Sequence, residues 1–284
     1  MTRSGRPPAG ARGLRLAAAI AAAVALNGTP ARAELPAADV YVLGELHDNA
    51  AHHLEQARLI EGIDPTAIVF EMLTPGQAAR VSPVTPRDLS LGDLLGWDDA
   101  GWPDFATYLP IFRASDAPVV GAGGTDAADL SAFGLDLPLP PAQQAAREAI
   151  QAAAHCDALP PDLLPGFVAR QRERDARFAR ATLDALDAHG APVVLITGNG
   201  HARTDWGVPA LIARAAPDVA VVSVVQAEGA NAAPPGDVVL RSDPAPRADP
   251  CAAFRARMAD PSAPVDPGHD AGAADRLDAP GLRP

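Results

Sequence analysis

Two stretches of this chain repeat one pattern, a Gly-x-x-His placed directly after an apolar run. Gly44-Glu45-Leu46-His47 follows Val40-Tyr41-Val42-Leu43, and Gly198-Asn199-Gly200-His201 follows Val193-Val194-Leu195-Ile196-Thr197. An imidazole at a strand end is a ready base or metal ligand, because its proton comes and goes near neutral pH. A third run, Val69-Phe70, ends in Glu71. A carboxylate following apolar residues is expensive to bury without a cation or a histidine beside it. Glu45, His47, Glu71 and His201 are therefore the candidate catalytic residues. His47, Glu71 and His201, with Glu45 beside them, form a mixed imidazole and carboxylate set suited to Zn²⁺, Mn²⁺ or Fe.

Around the first motif the polar groups are dense: Glu45, His47, Asp48, Asn49, His52 and His53 fall within nine residues. Asp48-Asn49 is a helix N-cap signal, which puts His52 and His53 in the first turns of a helix. A helix N-terminus depresses the pKa of a nearby imidazole and keeps it neutral, available as ligand or base; the competing expectation is that the pair decorates the helix surface. In the second motif two glycines flank Asn199, so the backbone can turn sharply and its N–H groups can meet an anion. Gln171, Asp175 and Phe178 share one face of a long helical pattern, with Glu173 and Arg177 able to pair on another; the expectation is a solvated face. Trp97, Trp102, Phe105 and Tyr108 concentrate four aromatics in a chain that is only 4% aromatic, either as core or as the wall of a slot for a flat ligand.

The elements that must position these groups follow from periodicity. Residues 40–44, 67–70, 118–120, 193–197 and 219–225 read as short buried strands, and 50–61 as a helix with Leu54, Ala57 and Ile60 at helical spacing. Strands alternating with helical patterns imply an α/β fold, a mainly parallel sheet with helices on both faces. A helical subdomain is expected as an insertion within about 74–190, including a long pattern from Leu163 to His189. In such a sheet all carboxyl strand ends open onto one edge, where ligands bind, so two motifs some 150 residues apart in sequence can share one crevice. Gly121-Ala122-Gly123-Gly124 follows a strand but lacks the spacing of a dinucleotide fingerprint.

At 284 residues, 48% of them hydrophobic, the chain can build one large core. Every basic residue is Arg, and the formal charge of −12 argues against a nucleic-acid partner. Residues 1–33 read as a signal peptide, with Arg3, Arg6, Arg12 and Arg15 ahead of the apolar stretch 16–26 and Ala31-Arg32-Ala33 at the cleavage site. A periplasmic or secreted protein with no membrane span after cleavage is expected. Cys156 and Cys251, the two cysteines present, are expected to pair in an oxidising compartment. The main domain is placed at 34–242, followed by a Pro/Ala/Asp-rich tail at 243–284 anchored near Cys251. The chain has no Gly-x-Ser-x-Gly elbow, Walker loop or Cys-x-x-Cys-His site, which disfavours serine catalysis, NTP hydrolysis and covalent haem.

Taken in order, Gly44-Glu45-Leu46-His47-Asp48-Asn49 with His52, His53 and Gln56, Phe70-Glu71-Met72, Trp102 with Tyr108-Leu109-Pro110, Gln171 with Asp175, and Gly198-Asn199-Gly200-His201 with Gly207-Val208-Pro209 resemble the ChaN family. That family is the haem-binding, iron-uptake branch of a superfamily that includes the Tiki metalloproteases and the erythromycin esterase-like proteins. The resemblance covers roughly residues 39–225. It implies non-covalent haem binding and a homodimer with paired haems, with His52, His53, Tyr108 and Asn199 as cofactor-binding residues. The alternative it implies is a metal-dependent hydrolase in which His47, Glu71 and His201 hold a divalent ion such as Zn²⁺ or Mn²⁺ and Glu45 is the general base.

Overall fold

A computed structural model describes Met1 and residues 35–125, 128–249, 251–252 and 254–255. The expected leader, apart from Met1, and the tail beyond residue 255 lie outside the described residues.

The chain opens with β1 (Val40–Glu45), α1 (Ala50–Ile63) and β2 (Ala67–Phe70). It continues through α2 (Pro75–Ala78), α3 (Ser90–Leu95) and α4 (Phe105–Arg113) to β3 (Val119–Gly121). Then come α5 (Pro141–Ala154), α6 (Leu164–His189), β4 (Val193–Gly198), α7 (Val208–Ala215), β5 (Val221–Glu228) and β6 (Val238–Ser242). The six strands form one sheet in the order β3-β2-β4-β1-β5-β6, and every pairing is parallel. This is the expected α/β class, and the insertion between β2 and β4 carries α2 to α6 with β3. The described residues from Pro36 onward cluster as one unit.

Sequence explains the local choices. Val, Ile and Leu fill β1, β2 and β4, whose residues are buried throughout, as strands covered on both faces require. Side chains alternate between the two faces. Val40, Val42, Val69, Val193 and Leu195 pack with Ala176, Phe178 and Ala179 of α6 and Ile212 of α7. On the opposite face Phe70 stacks on Phe112 of α4, ring centroids 4.6 Å apart, and α4 packs against α1. Asn49 starts α1 by accepting from the Ala51 amide at 2.9 Å, while Thr74 and Gln77 close a capping box on α2.

Two boundaries depart from expectation. β5 runs on to Glu228, and β6 adds an edge strand inside the domain expected at 34–242, where the periodicity predicts no strand. β6 has only the short run Val238-Val239-Leu240 with an alternating half-exposed pattern, and no helix precedes it, so it gives no buried-strand signal. Cys156 and Cys251 form the expected disulfide, with Cα atoms 5.4 Å apart, beside a small cluster of Leu159, Phe167 and Phe254. No helix among the described residues is long and apolar enough to cross a membrane.

Candidate functional site

The strand order sets the site. β2, β4 and β1 are neighbours, and register places Glu45 opposite Gly198 and Phe70 opposite Ile196. Glu45, Glu71 and the Gly198–His201 loop therefore emerge side by side at the carboxyl edge, as parallel topology requires.

Glu45 is the hub of the first motif. Its Oε1 accepts from Tyr108 Oη at 2.5 Å, lies 2.7 Å from His47 Nδ1 and 3.5 Å from His53 Nε2. The carboxyl is buried, and burial acts to raise its pKa. The charges and hydrogen bonds of His53 and His47 prevail and hold it well below the usual carboxylate range. Burial and Glu45 together push the Tyr108 phenol well above its ordinary value, so the hydroxyl keeps its proton and donates. With Nδ1 engaged by Glu45, the imidazole of His47 presents Nε2 to Glu71 Oε1 at 4.0 Å.

His52 and His53 are fully buried, and the expectation of a surface-decorating pair gives way to a supporting layer. The Leu46 amide donates to His52 Nδ1 at 2.9 Å, which requires that nitrogen unprotonated. Burial lowers the His52 pKa, in agreement with a neutral ring. His53 lies against the Tyr108 ring, centroids 3.9 Å apart. Gln56 reaches back to the Leu43 carbonyl at 3.0 Å. The first two turns of α1 thus grip the end of β1 and fix where His47 stands.

The second motif answers the first. Glu71 Oε2 accepts from Thr197 Oγ1 at 2.5 Å and from the Gly198 amide at 2.7 Å, so the anion met by this glycine-rich turn is the chain's own carboxylate. Glu71 Oε1 faces His201 Nε2 at 3.5 Å. His201 Nδ1 lies 2.6 Å from Asp175 Oδ1, with Gln171 Nε2 3.1 Å from the same ring nitrogen. Burial raises the Asp175 pKa, against the lowering pull of His201. Asn199 spends its amide on β5, accepting from the Gln226 N–H at 3.0 Å and donating to its carbonyl at 2.7 Å. The face of α6 expected to be solvated is instead turned inward, because Asp175 and Phe178 are buried. The pairing of Asp175 with His201 is not legible in the sequence; beyond its place in the family resemblance, Asp175 is marked only as a carboxylate at helical spacing between Gln171 and Phe178.

A cleft of about 390 Å³ opens beside this edge. Glu71, Trp102 and Phe178 line it together with Arg170, Arg174 and Arg177, and Glu173, also in the lining, accepts from Arg177 at 2.6 Å. Those arginines fall at i, i+4 and i+7 on α6, one helix face. Gly123 also lines it, and a Cβ there would come within 2.4 Å of the Glu71 carbonyl, so the backbone approaches as only glycine permits. The aromatic cluster divides: Trp97, Phe105 and Tyr108 are core, whereas Trp102 stands edge-on to His47, ring centroids 5.1 Å apart.

The expectation of a divalent-metal site is not supported. The structure does bring His47, Glu71 and His201 together. Among the described residues, however, no group of three or more His, Cys, Asp or Glu is placed to hold a metal ion.

A parallel α/β domain carrying paired carboxylate–imidazole groups at its ligand edge defines the class of this protein. Residues 31–127 and 119–212 match the family described as haem-binding uptake, Tiki superfamily, ChaN, and the chain belongs to that family. Among solved structures it is similar to one described as cofacial heme binding to ChaN of Campylobacter jejuni, at 21% identity over 71% of this chain and 86% of that one, with a TM-score of 0.52; the likeness is one of fold. The type III effector HopBA1 is aligned at 16% identity over 72% of this chain and 88% of that one, with a TM-score of 0.39. No curated protein matches the chain by sequence.

Proposed function

We propose that this chain is an exported haem-binding protein of the haem- and iron-acquisition kind, taking haem non-covalently at the cleft beside Glu71. The observation that carries the reading, together with family membership, is the composition of that cleft: Trp102 and Phe178 for the porphyrin faces, and the Arg170, Arg174, Arg177 row for the propionates. A bound haem would supply iron chemistry; the protein's part is to ligate, orient and shield. His47 is the residue we assign to the iron. Its side chain is 17% exposed, against 3% for His201 and 0% for His53, and it stands beside Trp102. Its Nδ1 contact with Glu45 fixes the ring and raises its basicity, as outer-sphere carboxylates do for ligating histidines. Tyr108, His52, His53 and Asn199 serve as the support that holds it. The disulfide and the leader fit an exported chain.

A cleft of this size encloses only part of a porphyrin. The rest would be covered by a second haem on a second copy, an arrangement like the cofacial heme binding of ChaN from Campylobacter jejuni. Titrating the mature protein with haemin should produce a saturable Soret shift and a dimer on light scattering. Absence of the shift at micromolar haemin would overturn the reading.

One observation favours a second reading, a hydrolase. Two carboxylate–imidazole pairs, Glu45 with His47 and Asp175 with His201, aim their Nε2 atoms at the same Glu71 oxygen. Such pairs can move a proton at a bound water. Ester or amide hydrolysis abolished by His201→Gln, with haemin binding retained, would establish it in place of the first.

A further inference from the structure

A second cleft, of about 290 Å³, shares no lining residue with the first. Each of three helices sends one arginine to it: Arg147 from α5, Arg172 from α6 and Arg214 from α7. We propose that this cleft is a binding site for a small aromatic carboxylate, its ring seated on Leu137 beside Trp206, whose indole already carries the Arg203 guanidinium 3.9 Å from its centroid, and its anionic group at Arg147.

The framework gathers these cations deliberately. Arg172 Nη2 donates to the carbonyls of Gly134 and Leu137, at 3.0 Å each. Gly134 has a φ of +67°, and a Cβ on it would lie 2.7 Å from Arg214 Nε, so the residue's lack of a side chain is what lets Arg214 lie there. Two guanidinium groups are thus collected around one glycine. Arg147 completes the set, with its guanidinium carbon 5.1 Å from the centroid of Trp206 and its Nε buried without a hydrogen-bond partner.

Three like charges drawn into one partly dry cleft repel one another and cost desolvation energy. Burial, with Arg172 and Arg203 also contributing, holds the Arg147 pKa below the ordinary arginine value, against the pull of Asp175 and Asp205. Asp205 is the single acid among the described residues lining the cleft, and both its oxygens accept from Arg203, at 2.8 and 2.7 Å. The local cation excess stands in a chain whose formal charge is −12. An incoming carboxylate would meet the guanidinium of Arg147, which lines the cleft, in a setting where charge-assisted bonds are strong. The remaining walls, including Phe133, Pro138 and Leu211, call for an apolar body, and the volume suits a ligand of one or two rings, at the small end of such sites.

The probe is 2-naphthoate, with 2-naphthylmethanol as its uncharged counterpart. Calorimetry on the full chain should show saturable binding of the carboxylate and roughly tenfold or weaker binding of the alcohol, the loss expected for one charged hydrogen bond. The indole N–H resonance of Trp206, assigned by its loss in Trp206→Phe, should shift on addition. Arg147→Met should weaken the carboxylate by a similar factor and leave the alcohol unchanged, and Arg214→Met provides a second variant should the first fail to fold. Haemin binding should be unaffected by either, which separates this site from the first cleft. Equal affinity for acid and alcohol, no binding at millimolar naphthoate, or wild-type affinity in both variants would overturn the proposal.

Discussion

A Cβ placed on Gly198 would stand 2.9 Å from His47 Nε2. The glycine of the second motif is therefore the space in which the histidine of the first motif sits. The relation is reciprocal, since a Cβ on Gly44 would lie 2.6 Å from Asn199 Oδ1 and 2.9 Å from the Ala202 side chain. The repeated Gly-x-x-His pattern has a packing reason. Two parallel strand ends in direct register bring their loops together, and each loop must omit a side chain to admit the other's polar group.

Gly198→Ala should consequently damage the site more than the fold. The nearest conflicting atom belongs to a side chain that can rotate away, so the ring of His47 should leave Glu45 and Glu71 while the strand persists. We expect haemin affinity to fall roughly tenfold or more, with a loss of stability within about 1–3 kcal/mol for the overpacked contact. Haemin titration and denaturant melts of the same preparation separate the two effects. Unchanged affinity would remove His47 as the iron ligand.

Glu45→Gln tests the support of that ligand directly. The amide keeps the size but cannot hold His47 Nδ1–H and the Tyr108 hydroxyl as a carboxylate does. Loss of such an outer partner costs about 10–100-fold in affinity at ligating histidines, and this range is expected for haemin. Tyr108→Phe should have a smaller effect, since it removes one donor and leaves the carboxylate. An equal loss in both variants would indicate collapse of the cluster.

Asp175→Ala should remove the carboxylate that meets His201 Nδ1 at 2.6 Å. A buried donor deprived of its main partner costs about 1–3 kcal/mol. In proton NMR, a far-downfield His201 Nδ1–H signal should disappear in the variant. Its persistence would show that Asp175 does not orient the ring.

The sheet and its ligand edge were legible in the sequence because buried parallel strands write themselves as unbroken Val/Ile/Leu runs, and those around Glu45, Glu71 and Gly198 are of that kind. The inward turn of Asp175 was not legible. Helical spacing shows that Gln171, Asp175 and Phe178 share a face, but only the packing of α6 against β2 and β4 shows which way it points. The burial of His52 and His53 was hidden for a related reason. Next to a polar N-cap they read as surface or ligand, and the hydrogen bond from the Leu46 amide that occupies His52 is a tertiary fact. β6 escaped because its alternating half-exposed residues, with no helix ahead of them, do not read as a buried run.

The Cys156–Cys251 bridge closes a loop of sequence separation 95, and in the chain-entropy account a loop near this size contributes about 4–5 kcal/mol. Reduction, or Cys251→Ser, should lower the melting temperature accordingly, with haemin affinity little changed because neither cysteine lines the first cleft. A melting temperature indifferent to reductant would show that the anchored segment adds nothing to stability.

Part of the acid sensitivity, beside that of Glu45, should arise in the segment that leads to this anchor. Arg247 crosses back to the site's loop, donating to both oxygens of Asp48, at 2.6 and 2.8 Å, and to Glu228, at 2.6 Å; Asn49 Nδ2 also donates to Glu228, at 2.7 Å. The hydrogen bonds from Arg247, outweighing burial, hold the Glu228 carboxyl at about 2, below its ordinary 4.5. Because this pKa is depressed on folding, the stabilisation is complete above 4.5 and is lost as pH falls through about 2. Denaturant melts of the wild type should therefore weaken progressively across that interval. Arg247→Met should cost about 1–3 kcal/mol at neutral pH and flatten the dependence, since Glu228 would then titrate closer to its unfolded value. Asp48 adjoins His47 in the same loop, so the variant should also loosen haemin binding at pH 7. A slope between pH 4.5 and 2 identical in wild type and variant would assign the acid sensitivity to other carboxylates, Glu45 foremost.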